Sequence, residues 1–351
     1  VLVNNGLIEA VLPAADLPAD IDRYDLQENV LAPAFIDLQL YGGNGLLFSE
    51  ALNEEAILAT DAYCVSGECT RFLLTMATNS IDIFLKGIDV VKAFLLKHSN
   101  NGLLGLHLEG PYINPIKRGA HLLEHIKQPT LDEVKLLLDK SEGIVKMMTL
   151  APEQCSDEVI QLLLDNKVMV SAGHSNATYE QATAGFNKGI TAATHLFNAM
   201  SPLQGRELGM VGAIYDHATA HSSIVCDGFH TSFAAVRISK KMMQERLFLI
   251  TDAVTETREG AYQHVLKDDR YILPDGTLSG SALTMIKAVN NCINEAGIEF
   301  DEALRMASLY PARAAQLQGF GKIEEGYTAD LVILSNERNI KAVLRNGVFC
   351  N

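Results

Sequence analysis

Carboxylate and imidazole side chains that could bind a metal stand at the ends of four apolar runs of the sequence. Glu109 ends one run, His174 and His195 end two later runs, and Asp252 follows the last run. One carboxylate and two imidazoles suit a divalent metal that keeps an open position for water. Such a metal lowers the pKa of its water toward neutrality, and Asp252 is placed to take the proton and return it to a leaving amine. The residue types therefore favour metal-assisted hydrolysis, with structural hydrogen-bonded histidines as the alternative.

Further residues have the chemistry to recognise an anion. The planar donor fork of Arg206 suits phosphate, and an exposed surface arginine is the alternative. Backbone N–H groups at 198–200 and 278–281 could also meet an anion, although an ordinary helix cap is the alternative at the second position. His121 lies in a loop, where a solvent-exposed histidine is the usual finding. These residues become informative only if the fold brings them to the metal ligands.

Eight apolar runs must position these residues, and amphipathic stretches separate them. Nearly continuous apolar runs are typical of strands that are covered on both faces, and apolar spacings of three and four residues indicate helices. Eight such units predict a (β/α)8 TIM-type barrel, with its active site at the carboxyl ends of the strands. The predicted strands are Val30–Leu40, Arg71–Thr75, Leu103–Leu108, Val145–Leu150, Val168–Ser171, Ala192–His195, Ser223–Cys226 and Leu247–Thr251.

The two ends of the chain predict a second module. Val1–Leu12 is strand-like, and Ala329–Leu334 and Lys341–Asn346 alternate as strands do, so the N- and C-terminal segments are expected to form a small β-sandwich domain. Ala261–Ser281 has the character of a hairpin, with Pro274-Asp275-Gly276 as its turn. The expected segments are 1–30 for the first part of the small domain, 31–318 for the barrel and 319–351 for the remainder of the small domain.

Composition excludes several classes of protein. The 351 residues are 48% hydrophobic and 20% charged, which supplies a large core and excludes a disordered chain. The net charge of −15 disfavours nucleic acid, because an acidic surface repels phosphate backbones. No apolar run approaches the roughly 18–20 residues that cross a bilayer, and no secretory signal is visible, so no membrane association is expected. Six scattered cysteines without a CxxC pair indicate reduced thiols in the cytoplasm.

Taken together, several short strings resemble the amidohydrolase superfamily, and within it most closely the N-acetylglucosamine-6-phosphate deacetylase family. The resemblance covers essentially the whole chain, in order. The most specific strings are His107-Leu108-Glu109-Gly110-Pro111, Ser171-Ala172-Gly173-His174-Ser175 and Thr194-His195-Leu196-Phe197-Asn198-Ala199-Met200. The resemblance implies hydrolysis of the acetamide of N-acetylglucosamine 6-phosphate in amino-sugar catabolism.

The resemblance also implies a role for each site residue. It implies that Glu109, His174 and His195 bind the metal, that Asp252 is the catalytic acid and base, and that His121 approaches the acetyl group. In the family a phosphate-binding arginine can reach across a dimer interface, so a homodimer is expected in which Arg206 serves the neighbouring subunit. The residues that it implies contact the substrate are Ala120, Asn198, Ala199, Arg206, His230, Leu278, Ser279 and Gly280.

Two departures from the family pattern change these expectations. Many amidohydrolases carry His-x-His after the first strand, which builds a second metal position, but this chain has Gln39 and Tyr41 there. An amide and a neutral phenol are poor zinc ligands, so one metal per subunit is predicted, with Zn²⁺ expected and Fe²⁺, Co²⁺ or Mn²⁺ as alternatives. The family's small β domain normally starts earlier than Val1, so further residues are expected to precede it.

Two other functions remain open from the sequence. A different amidohydrolase, such as a nucleobase deaminase or a cyclic amidase, would not need Arg206 and His230 to select a phosphate. A non-catalytic homologue that serves as a binding or structural protein would have no use for Glu109, His174, His195 and Asp252 together. Both alternatives are therefore less favoured than the deacetylase.

Overall fold

The computed structural model describes residues 1–350, and strands and helices alternate along most of them. The strands are β1 (Leu2–Asn4), β2 (Leu7–Ala10), β3 (Val30–Pro33), β4 (Phe35–Leu40), β5 (Gly42–Gly43), β6 (Leu46–Leu47), β7 (Cys69–Ala77), β8 (Leu103–Glu109), β9 (Val145–Leu150), β10 (Met169–Ala172), β11 (Ala192–Ala193), β12 (His221–Ile224), β13 (Leu247–Leu249), β14 (Val265–Lys267), β15 (Arg270–Ile272), β16 (Leu278–Ser281), β17 (Leu331–Leu334), β18 (Ile340–Arg345) and β19 (Val348–Phe349). The α-helices are α1 (Phe48–Ala51), α2 (Glu54–Ser66), α3 (Ile81–Lys97), α4 (Leu131–Ser141), α5 (Asp157–Asp165), α6 (Tyr179–Asn187), α7 (Gly209–Asp216), α8 (Phe233–Met243), α9 (Met285–Asn294), α10 (Phe300–Ala307) and α11 (Leu309–Ala314).

Eight parallel strands form the barrel that holds the candidate site. They are neighbours in the order β4, β7, β8, β9, β10, β11, β12 and β13. The ring is closed where the Asp252 N–H donates to the Gln39 carbonyl at 2.9 Å and the Tyr41 N–H donates to the Ala253 carbonyl at 2.9 Å. Because all eight strands run the same way, their carboxyl ends meet at one mouth. The predicted (β/α)8 barrel is confirmed.

Helices cover the outside of the barrel, and polar side chains begin most of them. Ser80 accepts a hydrogen bond from the Ile83 N–H at the start of α3, and Thr178 forms a capping box with Gln181 at the start of α6. In α3 the residues at three- and four-residue spacing are buried, while the opposite face is exposed to solvent. No helix in residues 1–350 is both long enough and apolar enough to span a bilayer.

The head and the tail of the chain meet in small antiparallel sheets outside the barrel, as predicted. β3 pairs with β17, and β18 and β19 extend the same sheet. β1 and β2 pair with each other and reach the tail where Ile8 N–H donates to the Tyr327 carbonyl and Ala329 N–H donates to the Gly6 carbonyl, both at 2.8 Å. These hydrogen bonds join segments that are more than three hundred residues apart in sequence.

The predicted hairpin is present after the last barrel strand and has a third strand. β14, β15 and β16 form an antiparallel sheet, and the turn between β15 and β16 is closed by the Leu273 N–H donating to the Thr277 carbonyl at 2.8 Å. An isolated bridge from Ala253 to Ser281 ties this sheet to the closing edge of the barrel. The hairpin sheet therefore stands beside the barrel mouth.

One predicted strand is two strands in the structure. The run Val30–Leu40 divides at Ala34, where the Ala34 N–H donates to the Asp330 carbonyl at 3.0 Å. Residues before this point pair with the tail of the chain, and residues after it pair with β7 in the barrel. Because both halves are apolar, the sequence pattern does not reveal the change of sheet. The short helix α7 lies between β11 and β12, the sixth and seventh strands of the barrel.

Candidate active site

The barrel brings Glu109, His174, His195 and Asp252 together at its mouth. Glu109 is the last residue of β8, and the other three follow their strands within three residues. His174, His195 and Asp252 have positive φ angles of 47°, 37° and 55°. This left-handed backbone is uncommon for side chains other than glycine and costs roughly 1–3 kcal/mol per residue. Strain of this kind concentrates at functional sites, which makes the strand ends a functional candidate.

Four buried side chains form a tight polar cluster. Glu109 Oε1 lies 3.1 Å from His195 Nε2 and 3.3 Å from His174 Nε2, and these two Nε2 atoms are 3.0 Å apart. Glu109 Oε2 lies 3.3 Å from His121 Nε2. None of these four residues is more than 6% exposed to solvent. The three histidines therefore converge on a single carboxylate that water reaches poorly.

The charges of the cluster depend on these contacts. Burial alone would raise the pKa of Glu109, but the surrounding imidazoles of His121, His174 and His195 hold that pKa well below its usual range. Burial would lower the pKa of His195, but the Glu109 carboxylate raises it overall. Burial and the neighbouring His174 lower the pKa of His121 to about 4. Glu109 is thus an ionised acceptor, and His121 is a neutral imidazole near pH 7.

Asp252 lies beside the cluster, and two residues of the first barrel unit connect it to Glu109. Gln39 Nε2 lies 2.8 Å from Asp252 Oδ1 and 3.0 Å from Glu109 Oε1. The Tyr41 hydroxyl donates to Glu109 Oε2 and lies 3.3 Å from Asp252 Oδ1. Burial raises the pKa of Asp252. An amide and a phenol therefore separate two carboxylates that would otherwise repel each other.

A cavity of about 280 Å³ opens above these residues, between the barrel mouth and the hairpin sheet. Most of the residues predicted to form the site line this cavity. They are Glu109, Ala120, His121, His174, His195, Asn198, Ala199, His230, Asp252, Leu278, Ser279 and Gly280. His230 is fixed from behind, because its Nδ1 lies 2.6 Å from Asp227 Oδ2, and its Nε2 faces Asp252 Oδ2 at 3.7 Å.

The amidohydrolase family model matches residues 30–350, which is nearly the whole chain. The chain belongs to the amidohydrolase family. The cavity at the strand ends is therefore the place where an enzyme of this family is expected to carry its chemistry.

Individual amidohydrolases are similar to this chain over almost its full length. An N-acetylglucosamine-6-phosphate deacetylase of Haemophilus influenzae is 36% identical, and the match covers 99% of this chain and 93% of the relative. An N-acetylgalactosamine-6-phosphate deacetylase of a Shewanella species is 33% identical, and the match covers 94% and 85%. The crystal structure of an N-acetylglucosamine-6-phosphate deacetylase from Pasteurella multocida superimposes with a TM-score of 0.94 at 34% identity, covering 99% of this chain and 93% of that one.

The residues of this amidohydrolase site fit a divalent metal. Two imidazole Nε2 atoms 3.0 Å apart, each next to the same carboxylate oxygen, have about the spacing of ligand atoms around one zinc ion, roughly 3.3 Å for bonds of about 2.0 Å. His174 Nδ1 lies 2.9 Å from the Lys117 carbonyl, which only accepts, so Nδ1 carries the proton and Nε2 presents a lone pair. This tautomer is the one that a metal requires of His174.

His121 has the opposite tautomer. Its Nδ1 accepts a hydrogen bond from the Thr78 N–H at 3.2 Å and lies 2.7 Å from the Thr78 hydroxyl, so the neutral ring carries its proton on Nε2. Its position alone would allow ligation, since Glu109, His121 and His174 place one ligand atom each within 4.8 Å of one another. The proton on Nε2, which lies 3.3 Å from Glu109 Oε2, instead makes His121 a hydrogen-bond donor at the wall of the cavity.

Arg206 is the one predicted site residue that this chain does not bring to the cavity. It is exposed, and no hydrogen bond or ion pair engages it within residues 1–350. Conversely, the cavity is also lined by Tyr41, Tyr262 and His264, for which the sequence predicts no role in a binding site. The hairpin around residues 261–281 was recognisable in the sequence, but its docking over the mouth was not.

Proposed function

We propose that this chain hydrolyses the acetamide of N-acetylglucosamine 6-phosphate to glucosamine 6-phosphate and acetate. The observation that carries the proposal is the convergence of Glu109, His174 and His195 with Asp252 on one cavity of an amidohydrolase barrel. The three relatives described above support the substrate class, because each is named as a deacetylase of an N-acetylhexosamine 6-phosphate.

Glu109, His174 and His195 would hold one divalent metal per subunit. Zn²⁺ suits a site of one carboxylate and two imidazoles, and Fe²⁺, Co²⁺ or Mn²⁺ are the alternatives. When bound, such a metal supplies Lewis acidity that polarises the amide carbonyl and makes water a better nucleophile near neutral pH. Gln39 donates hydrogen bonds to Glu109 and Asp252, and Tyr41 donates one to Glu109, which supports the proposal of a single metal.

Asp252 and His121 would move and stabilise charge during the reaction. Asp252 takes a proton from the attacking water, and hydroxide adds to the acetyl carbonyl carbon. The N–H of His121 Nε2 donates to the carbonyl oxygen as negative charge develops on it. Asp252 then gives its proton to the nitrogen, and the C–N bond breaks to release acetate and the amine. Proton return is required because an amide anion is a very poor leaving group.

The phosphate would be bound on the side of the cavity that carries Asn198, Ala199 and His230. Arg206 would complete this site from the neighbouring subunit of a homodimer, because its guanidinium is exposed and unengaged within the described part of its own chain. Ala120 and residues 278–280 would contact the sugar. The cysteines described in the structure are all free thiols, which supports placing the enzyme in the cytoplasm.

Acetate release tests the function directly. The purified chain is loaded with Zn²⁺, and kcat/KM is measured for N-acetylglucosamine 6-phosphate, N-acetylgalactosamine 6-phosphate and unphosphorylated N-acetylglucosamine. We expect a strong preference for N-acetylglucosamine 6-phosphate. The galacto epimer is the second candidate because the Shewanella relative is named for it. Turnover of none of the three by a folded, metal-loaded sample would overturn the proposal.

A further inference from the structure

We propose that His264 recognises a hydroxyl group of the sugar ring and that Ser279 orients its imidazole, so that the hairpin side of the cavity helps to select the sugar. The proposal rests on the function proposed above, because it takes an N-acetylamino sugar phosphate as the substrate. His264 itself has no other assigned role in the site.

The residues that line the cavity differ in chemistry from one part of the chain to another. The barrel strand ends supply Glu109 and Asp252 with the clustered imidazoles, which suit the amide and the metal. The hairpin side is formed by cavity residues from 262 to 280, which carry hydroxyl, imidazole and backbone groups but no acidic or basic side chain apart from histidine. Neutral hydrogen-bonding groups of this kind suit the hydroxyls of a sugar ring.

His264 is the polar group of that side with a free hydrogen-bonding position. The residue is buried, with 4% exposure, and its Nδ1 lies 2.9 Å from the Ser279 hydroxyl oxygen. Nε2 forms no hydrogen bond with residues 1–350, and this atom retains some solvent-accessible surface. Because His264 lines the cavity, Nε2 is open toward the space that the sugar would fill.

The imidazole of His264 is held in one orientation before any ligand binds. The Tyr262 ring lies nearly parallel to it, at 11° and 6.1 Å between centroids, and Tyr271 meets it edge-on at 6.4 Å. The Tyr262 hydroxyl donates to the Thr78 carbonyl at 2.6 Å and so fastens the hairpin to the barrel mouth. A preorganised group loses little conformational entropy when a ligand binds, so its hydrogen bond contributes more of its free energy to affinity.

A neutral imidazole matches a hydroxyl better than an anion. Burial lowers the pKa of His264 to about 4, so the ring is uncharged near neutral pH. The Ser279 hydroxyl can donate to or accept from Nδ1, and Nε2 then takes the complementary role toward the cavity. A sugar hydroxyl both donates and accepts, so it satisfies either arrangement, whereas a phosphate only accepts.

Deoxy analogues of the substrate test this assignment. Acetate release is measured for the wild type, His264→Leu, His264→Gln and Ser279→Ala on N-acetylglucosamine 6-phosphate and on its 3-deoxy and 4-deoxy analogues. We expect His264→Leu to lower kcat/KM about three- to tenfold, mainly through KM, as for one neutral hydrogen bond. His264→Gln, which can place an amide near Nε2, should recover part of the loss, and bound metal should stay unchanged in every variant.

The analogues separate recognition from a purely structural effect. One deoxy analogue should lower kcat/KM of the wild type by the same factor and should cause no further loss in His264→Leu, because the two changes remove the same hydrogen bond. The assignment would be overturned if the loss of kcat/KM caused by His264→Leu multiplied with the loss caused by the missing hydroxyl on both analogues. It would also be overturned if KM were unchanged in His264→Leu and Ser279→Ala. The proposed function would stand in either case. Failure of the wild type to hydrolyse the parent sugar phosphate would overturn both.

Discussion

Buried carboxyl groups at the two ends of the barrel have opposite surroundings. At the mouth, Glu109 and Asp252 are surrounded by imidazole, amide and phenol donors. At the amino end, Glu68 stands just before β7, has no exposed surface, and neither of its carboxyl oxygens has a hydrogen-bond partner in the described structure. Burial raises the pKa of Glu68 to about 8. The mouth thus keeps Glu109 ionised, whereas the amino end contains a neutral carboxylic acid near pH 7.

This difference indicates which buried carboxyls serve chemistry. An ionised carboxylate away from water is tolerated only with donors around it, and arranging several donors around two neighbouring carboxylates constrains many residues at once. Glu109 has that arrangement, and Glu68 lacks it. Burial acts on both groups, yet the pKa of Glu109 is lowered and the pKa of Glu68 is raised. The hydrogen-bond partners, which Glu109 has and Glu68 lacks, account for the difference.

Replacing Asp252 with asparagine should have the largest effect on activity. The amide keeps the shape of the side chain but cannot take a proton, so kcat should fall by about 10²- to 10⁴-fold. Bound metal, measured by elemental analysis, should remain, because Asp252 is not one of the proposed ligands. A variant that turns over at nearly the wild-type rate would remove Asp252 from the role of acid and base.

Replacing Arg206 with alanine should have an intermediate effect. A charge-assisted hydrogen bond is worth roughly 1.5–3 kcal/mol, so kcat/KM for the phosphorylated sugar should fall about ten- to a hundredfold, with little change for the unphosphorylated sugar. Equal losses on both sugars would contradict a phosphate contact.

Mixed dimers test whether Arg206 acts across the interface. Arg206→Ala and Asp252→Asn chains are co-expressed so that hybrid dimers form. In a hybrid, one of the two sites has an intact Asp252 and receives Arg206 from its partner, so the purified hybrid should recover about half of the wild-type activity. A random mixture, in which about half of the dimers are hybrids, should recover about a quarter. No recovery in verified hybrids would place Arg206 outside the neighbouring site.

Replacing Glu68 with glutamine should have the smallest effect, and on stability alone. Because the folded state raises the pKa of Glu68 from 4.5 to about 8, the folded protein loses stability as pH rises through this window. Glu68→Gln removes that loss, so its Tm should exceed the wild-type value by roughly 2–6 °C at pH 8 and by much less at pH 5. The exposed Glu325→Gln is the matched control. A difference in Tm that does not depend on pH would show that Glu68 is not buried as a neutral acid.

The barrel and its strand-end residues could be predicted because one physical rule connects them. Parallel strands place their carboxyl ends at one mouth, so polar residues after separate apolar runs, such as Glu109 and His195, must approach each other. The order of the apolar runs along the sequence was sufficient to predict that these residues meet. The distances between them follow from the fold. The resemblance to a family supplied the assignments that spacing could not, among them His121 and His230.

The hairpin side of the cavity could not be predicted in the same way. His264 reaches the site because Tyr262 hydrogen-bonds to Thr78, which is 184 positions away in sequence, and no local pattern encodes that contact. Tyr41 was expected only to be a poor ligand, but the fold places its hydroxyl on Glu109 and near Asp252. Both contacts are long-range in sequence, and hydrophobic periodicity carries no information about them.

A metal titration tests the central claim most directly. The protein is stripped with a chelator, Zn²⁺ is added in steps, and bound zinc and acetate release are measured on the same samples. With Glu109, His174 and His195 as the ligands and Gln39 and Tyr41 in place of a second site, activity should rise linearly and saturate at one bound zinc per chain. Two tightly held ions per chain, or full activity in the stripped protein, would contradict it.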